Sequence, residues 1–438
     1  MNIYSRISSF LVIWLLYIFF MDTFAPMGTD WISWHLHRVY NFSEYLKING
    51  LFSSYGFSIW SSCENCDLRA SSWEGGIYTT HNFLMYLPYI FINYFFNKEG
   101  LIIYGPIFDK TIIFLTAIIL VEIILQVFSV NKNKLHNYLV ALIVFIFFII
   151  NPWTYKMIIA QWFLIYFLFF FLLGLYLLIK NRFNSALISF FLCSLFDHQS
   201  GMGLVVLFLL IISIKHLSNK KIKLENNFYI LNLNKKKIKL VFCALIIPVI
   251  INIFLQYFAL LNIDKTLGSS LLYRVGITGS DMHNGGLVGS LQFLAGNRFS
   301  QCINNNALNF LNQNNSLDGL IEIYNCTLSL FGMFLISLLS IFGIIILYKK
   351  FKEFRFLILP ISFLLFSYLT LLQQSSSAHL MGYSYFFSII FSLGIMSIIV
   401  NLLKNKQLIL SKIVLTIPII FGIIILCIRV NMLTGVNG

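Results

Sequence analysis

The chain has 438 residues, of which 59% are hydrophobic and 11% charged, with a mean hydropathy of +0.84. A soluble domain of this length needs far more polar surface, so the composition points to an integral membrane protein. The net charge of +14 does not indicate nucleic acid as a partner, because most lysines sit in short loops between apolar runs, where the positive-inside rule puts them.

Taken in chain order, the apolar runs predict helices, since lipid leaves backbone groups no other partner. The alternation of a membrane barrel is absent. The first run, 7–24, follows Arg6 but meets no small-residue cleavage site, so it is read as a retained helix and not a signal peptide. Lysine-rich loops at 131–136, 180–182, 215–239, 349–355 and 404–412 are assigned to the cytoplasm. The spans are then expected at 7–24, 111–130, 138–152, 155–179, 184–197, 201–214, 240–261, 327–348, 356–373, 383–403 and 408–429. The predicted fold class is an all-α integral membrane protein of about eleven transmembrane helices in one polytopic domain over 1–438. Two large outer loops, 25–110 and 262–325, carry short surface helices, and 215–239 is a basic cytoplasmic loop. No internal repeat is visible.

Within the first outer loop, Thr29 or Asp30 predicts a helix start and Gly50 its end. Trp31, Trp34, Leu36, Val39, Phe42, Tyr45 and Leu46 recur at three- and four-residue steps, giving an amphipathic helix for the membrane surface. Asp30, His37, Arg38 and Asn41 fall along its polar side, with His35 close by. The segment 82–96 is apolar and aromatic. Counting it as a span would put 131–134 outside, so it is expected to lie in, or dip into, the outer membrane surface.

Cys63 and Cys66 form a C-x-x-C pattern, and Cys302 and Cys326 flank the Asn-rich part of the second outer loop. Both pairs are disulfide candidates for an oxidising compartment. No metal site is assigned. Cys193, Cys243 and Cys427 fall in apolar runs and read as small packing residues. Glu122 is the clearest ionisable group within a span, and the scarcity of others speaks against ion-coupled transport. Asp197 and His198 mark the tip between two short spans, where they either orient a substrate or stabilise the turn.

The first helix, the long outer loop opening on Asp30 with His35 and Arg38 nearby, and the interfacial segment 82–96 together resemble the GT-C glycosyltransferases. These polytopic enzymes move sugars from polyprenyl-phosphate donors. The resemblance implies that Asp30 is the general base that deprotonates an acceptor hydroxyl. Arg38, Arg274 and Arg298 become the cations for the departing phosphate. Glu74 and His81 would hold the acceptor, and His35, His37, Asp197 and His198 would line the substrate site. The implied partners are a lipid-linked sugar donor, membrane lipids, and a glycan, lipid or protein acceptor. No cofactor is certain, and a divalent metal stays open. The expected site is a bacterial inner membrane with the large loops outside the cytoplasm. A polysaccharide polymerase or ligase, leaning on Arg274, His283 and Arg298, and a lipid or oligosaccharide flippase are the competing readings. The oligomeric state is not legible.

Overall fold

The computed structural model describes residues 3–24, 29–50, 57–59, 77–82, 86–128, 134–150, 154, 165–217, 235–262, 335, 338–351, 354–371, 377–405 and 407–427. The apolar runs are helical wherever they are described. The helices are α1 (Ile3–Phe24), α2 (Thr29–Asn49), α3 (Leu87–Phe128), α4 (Lys134–Ile150), α5 (Ile165–Ile179), α6 (Phe183–Phe196), α7 (His198–Leu217) and α8 (Lys235–Asn262). They continue with α9 (Arg355–Leu371), α10 (Ser377–Lys404) and α11 (Leu408–Cys427). Residues 338–350 are helical as well. Among the described residues two helices are long and apolar enough to cross a membrane, Leu87–Val127 and Lys236–Leu261.

The architecture is helical as expected, and the structure adds one element: β1 (Phe57–Ile59) and β2 (Ile77–Asn82) form a short antiparallel ribbon, with Ser58 opposite Tyr78 and Ile59 opposite Ile77. The Ile-Tyr-Thr-Thr stretch of β2 is β-branched and aromatic, which suits a strand. In the segment 82–96 the helical part begins at Leu87, with Pro88 in the first turn where a missing N–H costs nothing, and it ends at a kink at Asn97, beyond which a second helical stretch runs to Phe128.

The chain forms two compact units. The first comprises 1–27, 124–159 and 279–438, and the second comprises 28–123 and 160–278. In the first unit α10 packs on α4, α9 and α11. Its core joins Phe147 to Phe391, Ile395 and Ile399, with Leu339, Val414, Leu415 and Ile419 around them. Phe147 and Phe391 meet edge to face at 5.7 Å. Helix α1 turns Phe10, Trp14 and Tyr17 inward, one face at i, i+4 and i+7, while Leu11, Val12, Leu15, Leu16 and Phe19 stay exposed. Phe10 stacks on Phe145 of α4 at 4.6 Å.

Small residues let the backbones approach in this unit. A Cβ on Gly343 would stand 2.1 Å from the Gly394 carbonyl oxygen. The Ser397 hydroxyl of α10 donates to the Gly343 carbonyl. Thr154 donates to Ser388 at 3.0 Å, and Ser392 returns to the Ser388 carbonyl at 3.0 Å. Polar side chains are thereby satisfied without bringing charge into the helix contacts.

In the second unit α5, α6, α7 and α8 pack in sequence-adjacent fashion, with α8 also against α6 and β2. The predicted loop 180–182 is a tight turn. Asn181 takes a left-handed φ of 56°, a region that Asn tolerates better than most side chains. Gly174 of α5 faces the Phe190 ring of α6, where a Cβ would lie 2.8 Å from the ring.

Candidate functional site

Helix α2 has the bounds its sequence implies. Asp30 stands in its first turn. Gly50 closes it with a φ of +83° and a 2.9 Å bond from its N–H to the Leu46 carbonyl, the geometry of a left-handed glycine cap. Val39 and Phe42 are fully buried, which contributes about 2 kcal/mol each. Ser43 and Asn41 are buried too. The expectation that Asn41 lies on an open polar side is therefore corrected: it sits inside the protein, because Val39, Phe42 and Ser43 on the same turns pack inward. The backbone places Asp30, His35, His37 and Arg38 on this helix, while their side chains lie outside the described residues.

The buried side of α2 meets the beginning of α3. Asn93, fully buried, donates through Nδ2 to Ser43 Oγ and Glu44 Oε1, both at 2.9 Å. Phe42 meets Tyr86 edge-on at 5.9 Å, and Lys98 stands over the Tyr40 ring at 5.2 Å. Glu44 also receives Lys47 Nζ at 2.6 Å. Partial burial pushes the Glu44 carboxyl up, but the hydrogen bonds from Lys47 and Asn93 and the charge of Lys47 outweigh it, so the carboxyl rests below its ordinary value.

A second cluster was not anticipated. Asp109, Tyr89 and Tyr166 are all buried. The Tyr89 hydroxyl donates to both carboxylate oxygens of Asp109, at 2.5 and 2.6 Å, and Tyr166 donates to Oδ1 at 3.3 Å. Tyr166 in turn packs against Phe108 and Phe196. Asp109 escaped notice because it stands beside Lys110 and the pair reads as the polar end of a loop. The signal was available in the unbroken apolar stretch from Leu101 to Phe108, which continues the helix across that pair.

At the α6–α7 turn, Asp197 is buried and extended (φ −135°, ψ 93°). It accepts the Ser200 hydroxyl, and its carbonyl accepts the Gly201 N–H at 2.9 Å. The Asp197 carbonyl thus accepts the first bond of α7. A Cβ on Gly201 would stand 2.7 Å from Ser194 Oγ, so the turn is closely packed. The described contacts of Asp197 are those of a stabilised turn. His198 opens α7, its side chain outside the described residues.

His81 lies on β2, again without a described side chain. Glu74, Arg274, Arg298, His283, Cys63, Cys66, Cys302 and Cys326 lie outside the described residues. Cys193 is free and buried, and Cys243 is free and exposed. Glu122 is buried on α3. Among the described residues no three His, Cys, Asp or Glu side chains converge to hold a metal. No family model matches the sequence, and neither a curated protein nor a solved structure was found similar to it.

Proposed function

We propose that the protein is a multi-pass membrane glycosyltransferase of about eleven spans, acting on the non-cytoplasmic side of a bacterial inner membrane. It transfers a sugar from a polyprenyl-phosphate donor to an envelope glycan, lipid or protein. What supports this reading is α2. A capped helix with a carboxylate in its first turn directly follows the first apolar helix. It is anchored at its other end through Val39, Phe42 and Ser43 and through Asn93 of α3. Asp30 is thus carried by a helix whose far end is held in the protein, and a reacting group needs such support.

In this reading Asp30 accepts the proton of the acceptor hydroxyl as that oxygen bonds to the anomeric carbon. The bond from that carbon to the phosphate oxygen breaks, and the polyprenyl phosphate departs with the electron pair. A guanidinium, from Arg38, Arg274 or Arg298, offsets its charge. Displacement in one step inverts the anomeric centre.

The test is transfer by purified protein from a panel of polyprenyl-phosphate sugars, with the product anomer assigned by NMR. An inverted product supports the proposal. Retained configuration rules out single displacement, and absence of transfer with every donor removes the enzymatic reading in favour of lipid or oligosaccharide flipping.

A further inference from the structure

The contact between Tyr89 and Asp109 constrains the path of α3. The two residues are 20 positions apart within α3, a separation that in a straight helix amounts to about 30 Å. Tyr and Asp side chains together cannot bridge that gap. The chain therefore reverses between them, and the place is Asn97, the one residue inside α3 with non-helical angles (φ 59°, ψ −169°). Phe96 and Tyr104 confirm the fold-back, with ring centroids 4.9 Å apart. Gly100 permits it, since a Cβ there would stand 2.1 Å from the Phe96 Cβ. The first part of α3 is thus a helical hairpin: arm 87–96, an elbow at 97–99, and a return arm from 100 onward, latched by Tyr89 and Asp109.

The two sides of this hairpin differ. The inner side is buried and holds Tyr89, Asn93, Leu101 and Asp109. The outer side exposes Phe91, Tyr94, Phe95 and Phe96 on one arm, and Ile102, Ile103, Tyr104 and Ile107 on the other, each 44–68% accessible. No charged residue occurs in 87–97 or in 100–108; the charges are confined to Lys98 and Glu99 at the elbow and to Asp109 and Lys110 at the base. A soluble surface does not leave so large an apolar patch bare.

The exposed stripe also indicates what covers it. Ile103, Ile107, Thr111 and Leu115 follow at i+4 steps along one face, all exposed, and carry the patch without a break into the apolar run of α3. The one hydroxyl on that stripe, Thr111 Oγ1, donates to the carbonyl of Ile107 at 2.7 Å. A polar group facing hydrocarbon satisfies itself in this way, within its own helix. Aromatic rings crowd the elbow, as they do where a membrane segment meets the headgroups.

We infer that the hairpin 87–107 is embedded in the non-cytoplasmic leaflet, with the outer faces of both arms against lipid and the elbow at the headgroup level. The inference rests on the membrane reading given under Proposed function. It adds a surface that holds the anchored end of α2, through Asn93, at the depth of a lipid-linked headgroup.

The full-length protein, with its native cysteines replaced by serine, is reconstituted in phosphatidylethanolamine–phosphatidylglycerol vesicles. A nitroxide is placed singly through Phe91→Cys, Phe95→Cys, Ile103→Cys, Ile107→Cys and Glu99→Cys. Leu115→Cys and Phe254→Cys on α8 are the controls. Relaxation by oxygen, which concentrates in lipid, is compared with relaxation by a water-soluble nickel chelate. Oxygen exceeding nickel several-fold at 91, 95, 103 and 107, with the reverse at 99, is the expected result. Nickel equal to or above oxygen at those four, while 115 and 254 remain lipid-like, overturns the hairpin inference alone. Inaccessibility of the four to both reagents overturns it too, because protein, such as a second copy, then covers the patch. Water-like behaviour at 115 and 254 as well removes the membrane reading itself. Photolabelling of the unaltered protein by a lipid-partitioned diazirine, mapped by mass spectrometry, must mark 91–96 and 102–107 and gives the same decision without any substitution.

Discussion

The two units hold their helices together by different chemistry. In the first, the described contacts are made by Gly343 and Gly394 and by serines: Ser392 and Ser397 donate to backbone carbonyls, and Ser388 accepts the Thr154 hydroxyl. In the second, Asn93, Asp109 and Asp197 are buried with hydrogen-bond partners of their own. Two of these three reach partners 20 to 57 positions away in sequence. Small-residue packing stabilises by close approach and carries no chemistry. Buried carboxylates and amides carry a desolvation cost that only good partners offset. Among the described residues, the first unit thus joins its helices by close packing, while the second concentrates the groups that position α2 and the hairpin.

The contrast breaks first at the glycines. Gly343→Val sets a side chain against the Gly394 backbone, which has no rotamer through which to yield, and should cost about 3 kcal/mol. The thermal midpoint in detergent should fall sharply. An unchanged midpoint would mean that the close approach is not needed.

The latch of the second unit comes next. Tyr89→Phe removes the donor to both oxygens of Asp109 and should cost about 2 kcal/mol. Tyr166→Phe, whose bond is longer at 3.3 Å, should cost about 1 kcal/mol or less. Equal losses at the two positions would show that the hairpin is not held principally by Tyr89.

Ser397→Ala in the first unit should cost about 1 kcal/mol, below the loss at Tyr89. Were the serine to matter more than the tyrosine, the contrast between the packed contact and the latch would be inverted.

Glu44 gives the smallest effect. Its folded carboxyl lies below the unfolded value, so its contribution is fully present above the unfolded value. That contribution is lost as pH falls through the folded one. Stability in wild type should decline below the ordinary carboxylate range more steeply than in Glu44→Gln, as followed by chemical denaturation across pH. Superimposable curves would remove Lys47 and Asn93 as its stabilising partners.

The sequence disclosed the helices because apolar runs in a chain this poor in charge have few other structures open to them. Helix α2 was legible in its bounds, with Thr29 or Asp30 signalling the start and Gly50 the closing cap. The reversal in α3 was not. Asn97 and Gly100 bracket a turn-like Asn-Lys-Glu-Gly cluster, but the apolar residues on either side read equally well as one surface helix and one loop. Only the long-range contact of Tyr89 with Asp109 decides between them, and spacing within a sequence does not reveal such a contact. The ribbon was missed for a related reason: its pairing joins 57–59 to 77–82 across a long polar stretch, so no local turn announces it. The burial of Asn41 was not legible, because a helix sequence does not show which of its faces a later segment covers; here the start of α3 meets α2 at Phe42 and Ser43.

The decisive measurement is sugar transfer by Asp30→Asn beside wild type and Tyr89→Phe, each shown to be folded by its melting transition. The account predicts that Asp30→Asn loses transfer by about a hundredfold or more, while Tyr89→Phe keeps it in proportion to the folded fraction. Robust transfer by a folded Asp30→Asn protein would contradict the assignment of Asp30 as the base, and with it the central claim.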